Sequence, residues 1–268
     1  MRQILLPIAI CILSSAVVRA ETTSCWVFFK DRGSVNVAKE VAAKAASVSE
    51  PKNTSRRARL AAGVLFDERD LPVDPAYVAG VAEITGGIRT VTRWFNGVSV
   101  ELDNDAKARV ERLPFVKSIR PVAKFKGSPE PGRAMKPVAE KPAELSYGAS
   151  YYQLNTAGIV KLHSRGYFGS GIRICILDSG FDNLGHPAFD SLRVTHTWDF
   201  VGRDGDPAGD GHGTEVLSVL AANDPGKMIG AAPGAEYILA RTEIINDTDV
   251  RAEEDYWVAG LEWADSLG

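Results

Sequence analysis

The sequence predicts two folded units in series: an α+β unit of the ferredoxin-like type, then an α/β unit in which helices cover a parallel sheet. Three observations carry this. The hydrophobic period changes across residues 127–145, where Pro129, Pro131, Pro137, Pro142, Gly127 and Gly132 read as an extended linker. A continuous apolar run over residues 171–177 stops at Asp178-Ser179-Gly180, as a strand of a buried parallel sheet does. Charge divides at the same linker. Residues 1–145 hold 23 Lys+Arg against 16 Asp+Glu and residues 146–268 hold 8 against 18, so a half at +7 is joined to a half at −10 within a chain of net charge −3.

Composition narrows the class further. At 268 residues, 45% hydrophobic and 24% charged, the chain is neither disordered nor a multi-span membrane protein, and it has room for one large or two small domains. The charge balance of neither half points to nucleic acid as a partner of the whole.

Residues 1–20 read as an export signal: Arg2, an apolar run over 4–13, then the small-residue pattern Val18-Arg19-Ala20, with cleavage expected after Ala20. Pro7 and Ser14-Ser15 interrupt the run, which falls short of the ~20 apolar residues of a membrane span. Ile10 before Cys11 does not fit lipid attachment, so the expectation is secretion without a membrane anchor. Cleavage leaves Cys25 and Cys175, with no disulfide framework and no zinc spacing; Cys175, in an apolar run, reads as a small buried thiol.

In the first unit, residues 26–30 form a short strand and the Ala-rich stretch 37–48 a helix, after which Arg56-Arg57-Ala58-Arg59 interrupts the pattern. Residues 77–84 form a helix stopped by Gly86-Gly87. Strands at 88–93 and 98–102 flank Asn96-Gly97, a hairpin signal. Asn104 caps a helix running to Arg112, and a last strand covers 115–119. Strand, helix, hairpin, helix, strand is the ferredoxin-like order. In the second unit the strand at 171–177 is followed by a helix over 213–222 with Val216, Leu217, Val219 and Leu220 on its apolar face. A Gly/Pro turn at 230–234, a strand at 236–241 and an amphipathic helix over 249–266 complete the order βαβα.

In open α/β sheets functional side chains gather at the carboxyl ends of strands, where Asp178 sits. Alone, Asp-Ser-Gly is no more than an Asx turn. The second element is Asp210-Gly211-His212-Gly213-Thr214 at a helix start, where flanking glycines leave the imidazole uncrowded. His163, His186 and His196 lack such a setting and read as surface or packing residues. Asp204 and Asp206, in the loop 202–207, are spaced closely enough for calcium, though not as an EF-hand; their plainer reading is a solvated acidic turn. Glu243 and Asp249 read as loop and helix-cap residues.

Residues 174–180, residues 211–214 with Val216 and Ala221, and residues 230–235 together resemble the subtilisin-like serine proteases, the subtilases. Residues 147–154 and 260–268 are similar to the secreted branch of that family in Bacteroidetes-like bacteria. The first unit, at residues 26–30, 70–73 and 94–100, is similar to the propeptides of that branch. The resemblance implies a signal peptide over 1–20, a propeptide over 21–126 that chaperones folding and inhibits the enzyme intramolecularly, a linker over 127–145, and the N-terminal part of a peptidase domain over 146–268. It implies a secreted serine endopeptidase, made as a zymogen and acting on polypeptide substrates. Asp178 would hold the tautomer of His212, and His212 would take the proton from a serine and return it to the leaving amine. The family's Gly-Thr-Ser-x-Ala motif has no match in these 268 residues; Ser179 is a turn residue in the family and Ser218 lies on the helix after His212. The expectation is therefore a fragment, inactive by itself, of a full-length peptidase that needs no cofactor, with structural calcium as an option. Two other readings stand beside it. One is a non-catalytic inhibitor, folding partner or pseudoenzyme. The other is a doubly wound binding module, against which stands the lack of a Gly-x-Gly-x-x-Gly run after Asp178.

Overall fold

The structure is a computed structural model that describes residues 22–47, 55, 57–58, 65–123, 145–245 and 252–268. The expected signal peptide, most of the linker and Asp249 lie outside the described residues.

The first unit contains β1 (Thr23–Phe29), α1 (Val37–Ser47), α2 (Pro75–Thr85), β2 (Thr90–Thr92), β3 (Gly97–Leu102), α3 (Asn104–Glu111) and β4 (Val116–Pro121). Its strands form one antiparallel sheet in the order β2-β3-β1-β4, the ferredoxin-like arrangement. Side chains alternate between faces with period two, and the two faces differ in kind. Cys25, Val27, Phe29, Val98, Val100 and Leu102 form a core with Val81 of α2 and Val110 of α3. Ser24, Thr92 and Ser99 are also buried, on the face away from those helices.

What covers that second face belongs to the other unit. This comprises α4 (Tyr151–Thr156), α5 (Ile159–His163), β5 (Arg173–Asp178), β6 (Arg193–Asp199), α6 (His212–Ala221), the short hairpin β7 (Asn223–Asp224) and β8 (Met228–Ile229), β9 (Glu236–Arg241) and α7 (Ala252–Leu267). Strands β5, β9 and β6 pair in parallel with β9 in the middle. Ile176, Tyr237 and Leu239 pack with Leu217 and Ala221 of α6. Helix α7 approaches β5 from another side: a Cβ added at Gly260 would stand 2.9 Å from Leu177 Cδ2, so the absent side chain sets the helix-to-sheet distance.

Helix α7 is thus shared by the two units, and the charge division becomes specific contacts there. Asp255 accepts from Arg89 Nε and Ser99 Oγ, both at 2.8 Å. Glu262 accepts from Thr92 Oγ1 at 2.5 Å and from the backbone N–H groups of Arg93 and Trp94 at 3.2 and 3.1 Å. Arg57 bridges Asp70 of the first unit, at 2.7 Å, to Asp265 of α7, at 2.5 Å. Burial pushes the Asp255 carboxyl above its usual range, against the opposing pull of Ser99 and Arg89.

Several sequence expectations need correction. The hairpin turn occupies residues 93–96, with Asn96 in the left-handed region at φ 50°, and Gly97 already belongs to β3. Glycine is required at 97 for a different reason: a Cβ there would stand 2.4 Å from the Val27 carbonyl oxygen. Asp103, not Asn104, caps α3, through its bond from the Ala106 N–H. Strand β6 was not expected from the sequence: its run Arg-Val-Thr-His-Thr-Trp-Asp has no continuous apolar core, although Val194, Thr195, Thr197 and Trp198 are strand formers, and it pairs only on one side, with β9. Helices α4 and α5 enclose a small cluster of Tyr147, Leu154 and Ile229 that local periodicity does not reveal.

Candidate active site

Asp178 is the last residue of β5 and is 6% exposed. Its Oδ1 accepts from the Ser179 backbone N–H at 2.7 Å, from Ser179 Oγ at 3.1 Å, and from His212 Nδ1 at 2.8 Å. His212 is the first residue of α6, and its backbone N–H donates to Asp210 Oδ1 at 2.7 Å. The sequence placed the helix start slightly later; in the structure the helix geometry itself sets the imidazole.

Two glycines make this approach feasible. A Cβ at Gly213 would lie 2.3 Å from the Gly180 carbonyl oxygen, and one at Gly180 would lie 2.2 Å from the Asp210 backbone nitrogen. The α6 N-terminus and the turn after β5 therefore touch backbone to backbone. Cross-links hold them there: Thr214 Oγ1 donates to the Asp182 carbonyl and the Phe181 N–H to the Pro207 carbonyl at 3.0 Å, while the Thr242 N–H, donating to the Asp178 carbonyl at 2.8 Å, ties the end of β5 to β9.

A carboxylate can only accept, so Nδ1 of His212 carries the proton and the neutral ring keeps its lone pair on Nε2. With its side chain 60% exposed, the ring is open to a reactant. The hydrogen bond that His212 donates to Asp178, then the Asp178 charge, holds the imidazole pKa above the ordinary histidine value; Glu243 and Glu215 add smaller contributions in the same direction. Glu243 has its own pKa raised, chiefly by burial and then by Asp178 and Glu253. It lies in the loop after β9, as the sequence suggested, and its charge acts on the same pair.

The serines fall where the sequence put them. Ser179 Oγ is turned to Asp178 and, at 3.4 Å, to Asp210, while Ser218 Oγ donates to the Glu215 carbonyl at 2.7 Å. Among the described residues no serine hydroxyl hydrogen-bonds to His212. His163 is buried between Tyr147 Oη and the Ala231 carbonyl, both at 3.0 Å, His186 caps a short helical turn by accepting from the Ala188 N–H, and His196 is partly exposed on β6.

The loop that could have held calcium is folded on its own carboxylates. Asp204 and Asp206 each accept from a backbone N–H two residues on, at 2.9 and 3.1 Å, and Asp199 accepts from Val201, Gly202 and Arg241. Among the described residues no group of three or more His, Cys, Asp or Glu is placed to hold a metal ion.

Sequence reasoning missed Arg241 and Asp199. Arg241 ends β9; its Nε donates to the Ser179 carbonyl at 3.1 Å and its Nη1 to Asp199 Oδ2 at 2.8 Å. The available signal was positional, since both residues close a strand at the carboxyl edge that carries Asp178.

Known proteins resemble both units of the chain. The family model described as the peptidase S8 propeptide domain of Bacteroidota matches residues 24–135, and that of the subtilase family matches residues 169–262. Subtilisin E of Bacillus subtilis (strain 168) is 34% identical over 106 residues, covering 38% of this chain and 26% of that protein. Subtilisin BL of Lederbergia lenta is 34% identical over 110 residues, covering 40% of this chain and 37% of that protein. The aligned part of the chain thus spans 26% to 37% of the length of these relatives. Among solved structures, the MycP3 protease from the type VII (ESX-3) secretion system is similar over 43% of this chain and 33% of that one, at 20% identity and a TM-score of 0.33, too low to bear on the fold.

Proposed function

This chain joins a propeptide domain of the Bacteroidota peptidase S8 type to a domain of the subtilase family, and from that premise we propose that it is part of a secreted serine endopeptidase whose acid–base pair is Asp178 and His212. The observation that carries the reading is the 2.8 Å contact from His212 Nδ1 to Asp178 Oδ1, between the carboxyl end of a parallel strand and the start of a helix. In this role Asp178 fixes the tautomer and stabilises the imidazolium, and Nε2 removes the proton from a serine nucleophile and delivers it to the leaving amine. The nucleophile is supplied by a part of the whole protein outside these 268 residues, so the chain alone does not turn over peptide substrates. This chemistry needs no cofactor.

The first unit acts as the intramolecular inhibitor and folding partner of the second. Its support is the interface on α7, where Arg57 and Arg89 meet Asp265 and Asp255. Export rests on the pattern of residues 1–20, and among the described residues no helix is long and apolar enough to cross a membrane. The test is hydrolysis of casein by the whole protein and by its His212→Ala variant. A loss on the order of 10⁶ in kcat is expected for a triad histidine. A variant retaining a tenth of the activity would refute the assignment, and turnover by the 268-residue chain would refute its inactivity.

A further inference from the structure

Three charged residues share one row of the parallel sheet. Across β5, β9 and β6, Asp178 is in register with Arg241 and Arg241 with Asp199. Neighbouring strands lie about 4.8 Å apart and residues in register project to the same face, so the cation stands between two carboxylates, either of which it could take. It takes Asp199, with Nη1 at 2.8 Å from Oδ2. The Asp199 carboxylate is itself pinned: its Oδ1 accepts from the N–H groups of Val201 at 2.7 Å and Gly202 at 2.9 Å. Gly209 closes over the guanidinium, where a Cβ would lie 2.4 Å from Nε. Asp178 is left to meet His212.

We propose that Asp199 is a positioning residue: by holding the Arg241 guanidinium it keeps that cation away from Asp178 and leaves the Asp178 carboxylate to charge and orient the His212 imidazole. The inference rests on reading Asp178 and His212 as the acid–base pair. Its physical basis is that arginine binds carboxylate strongly and with fixed geometry, so an Arg241 turned to Asp178 would compete with the ring for the same oxygens and cancel the charge that supports the imidazolium. The other charged groups that act on His212, Glu243 and Glu215, do so through their charge alone, whereas Asp178 hydrogen-bonds Nδ1 and so fixes the tautomer.

The experiment is an NMR titration of His212 in the 268-residue chain, with its signal assigned by loss in His212→Gln. Asp199→Asn frees Arg241, and the His212 pKa is expected to fall by roughly one pH unit or more. Asp199→Asn combined with Arg241→Gln removes the cation as well, and the pKa returns to the parent value. Arg241→Gln alone leaves the pKa at or above the parent value. An unchanged pKa in folded Asp199→Asn overturns the proposal, as does a fall in Arg241→Gln, which would mean that Arg241 works only as a strut through the Ser179 carbonyl. If Asp199→Asn does not fold, Asp199→Ser takes its place, with the same fall expected and an unchanged pKa overturning the proposal in the same way. Asp178→Asn separates this proposal from its premise: if that change leaves the His212 pKa unmoved, the acid–base assignment fails, whereas a fall there beside an unmoved Asp199→Asn overturns the positioning role alone.

Discussion

Replacing Arg89 by alanine strands a carboxylate between the two units. Asp255 is 1% exposed; its Oδ2 is held by Arg89 and Ser99, and its Oδ1 is buried without a hydrogen-bond partner among the described residues. After Arg89→Ala only the neutral Ser99 hydroxyl remains. Removing one partner of a buried pair typically costs about 3–5 kcal/mol. A ceiling applies, because the carboxyl can take up a proton: from an ordinary pKa of about 3.9, being protonated at pH 7 costs about 4 kcal/mol at 1.36 kcal/mol per unit. Burial has already raised the Asp255 pKa, which lowers that ceiling. The expected loss is therefore about 3 kcal/mol at pH 7. The sign with pH follows from linkage. A carboxyl whose folded pKa is raised binds more protons folded than unfolded, so stability falls as pH rises through that interval. The variant, with the larger rise, should recover part of its loss on acidification to pH 5. Urea unfolding of parent and variant at pH 7 and pH 5, followed by tryptophan fluorescence, measures both numbers. A loss under about 1 kcal/mol at pH 7, the range of an exposed pair, would refute the reasoning, and so would a loss equal at the two pH values. The double change Arg89→Met with Asp255→Leu, which removes both charges, should stay within about 1 kcal/mol of the parent.

Gly213→Ala should lower stability by about 1–3 kcal/mol, read by thermal unfolding, because its Cβ meets the Gly180 carbonyl at 2.3 Å and the helix must retreat. The same variant should lower the His212 pKa as the 2.8 Å bond to Asp178 lengthens. The pairing of His212 with Asp178 raises its folded pKa, so its stabilisation is full below the ordinary value of about 6.5 and is lost as pH rises through the folded value. The stability difference between the parent and His212→Gln should accordingly be larger at pH 5.5 than at pH 8.5 in chemical denaturation. Cys175, half-buried rather than fully buried as the sequence suggested, has its thiol pushed up to about 12 by that burial and should react slowly with iodoacetamide at pH 8 in the folded chain and faster in urea; rapid native labelling followed by mass spectrometry would contradict this.

Local chemistry was legible where it was strong. The strand Glu236–Arg241 stands where the sequence placed it, and the apolar run ending at Asp178 and the helix opening at Gly-His-Gly-Thr stand within two residues of their expected bounds. Asn96-Gly97 marked a hairpin correctly, although the positive φ falls on Asn96 and the glycine answers a contact with β1, 70 positions earlier in the chain. A close approach of that kind leaves no periodic trace. Strand β6 was missed because it lacks a continuous apolar run, although Val194, Thr195, Thr197 and Trp198 favour a strand that pairs with β9.

The sequence by itself determined the two-unit plan, the opposite charges of the halves, and the placing of Asp178 and His212 at a strand end and a helix start, since these depend on residue types and short spacings. Only the tertiary structure decided which charges meet. Arg57 finds Asp265 and Arg89 finds Asp255, 208 and 166 positions away, because α7 lies across the face of the first sheet. It likewise decided that Arg241 turns to Asp199 and not to Asp178, a choice between two carboxylates in one row that exists only once three separate strands have come into register. Contacts of that kind are made by long-range packing, whose geometry no local pattern of residues records.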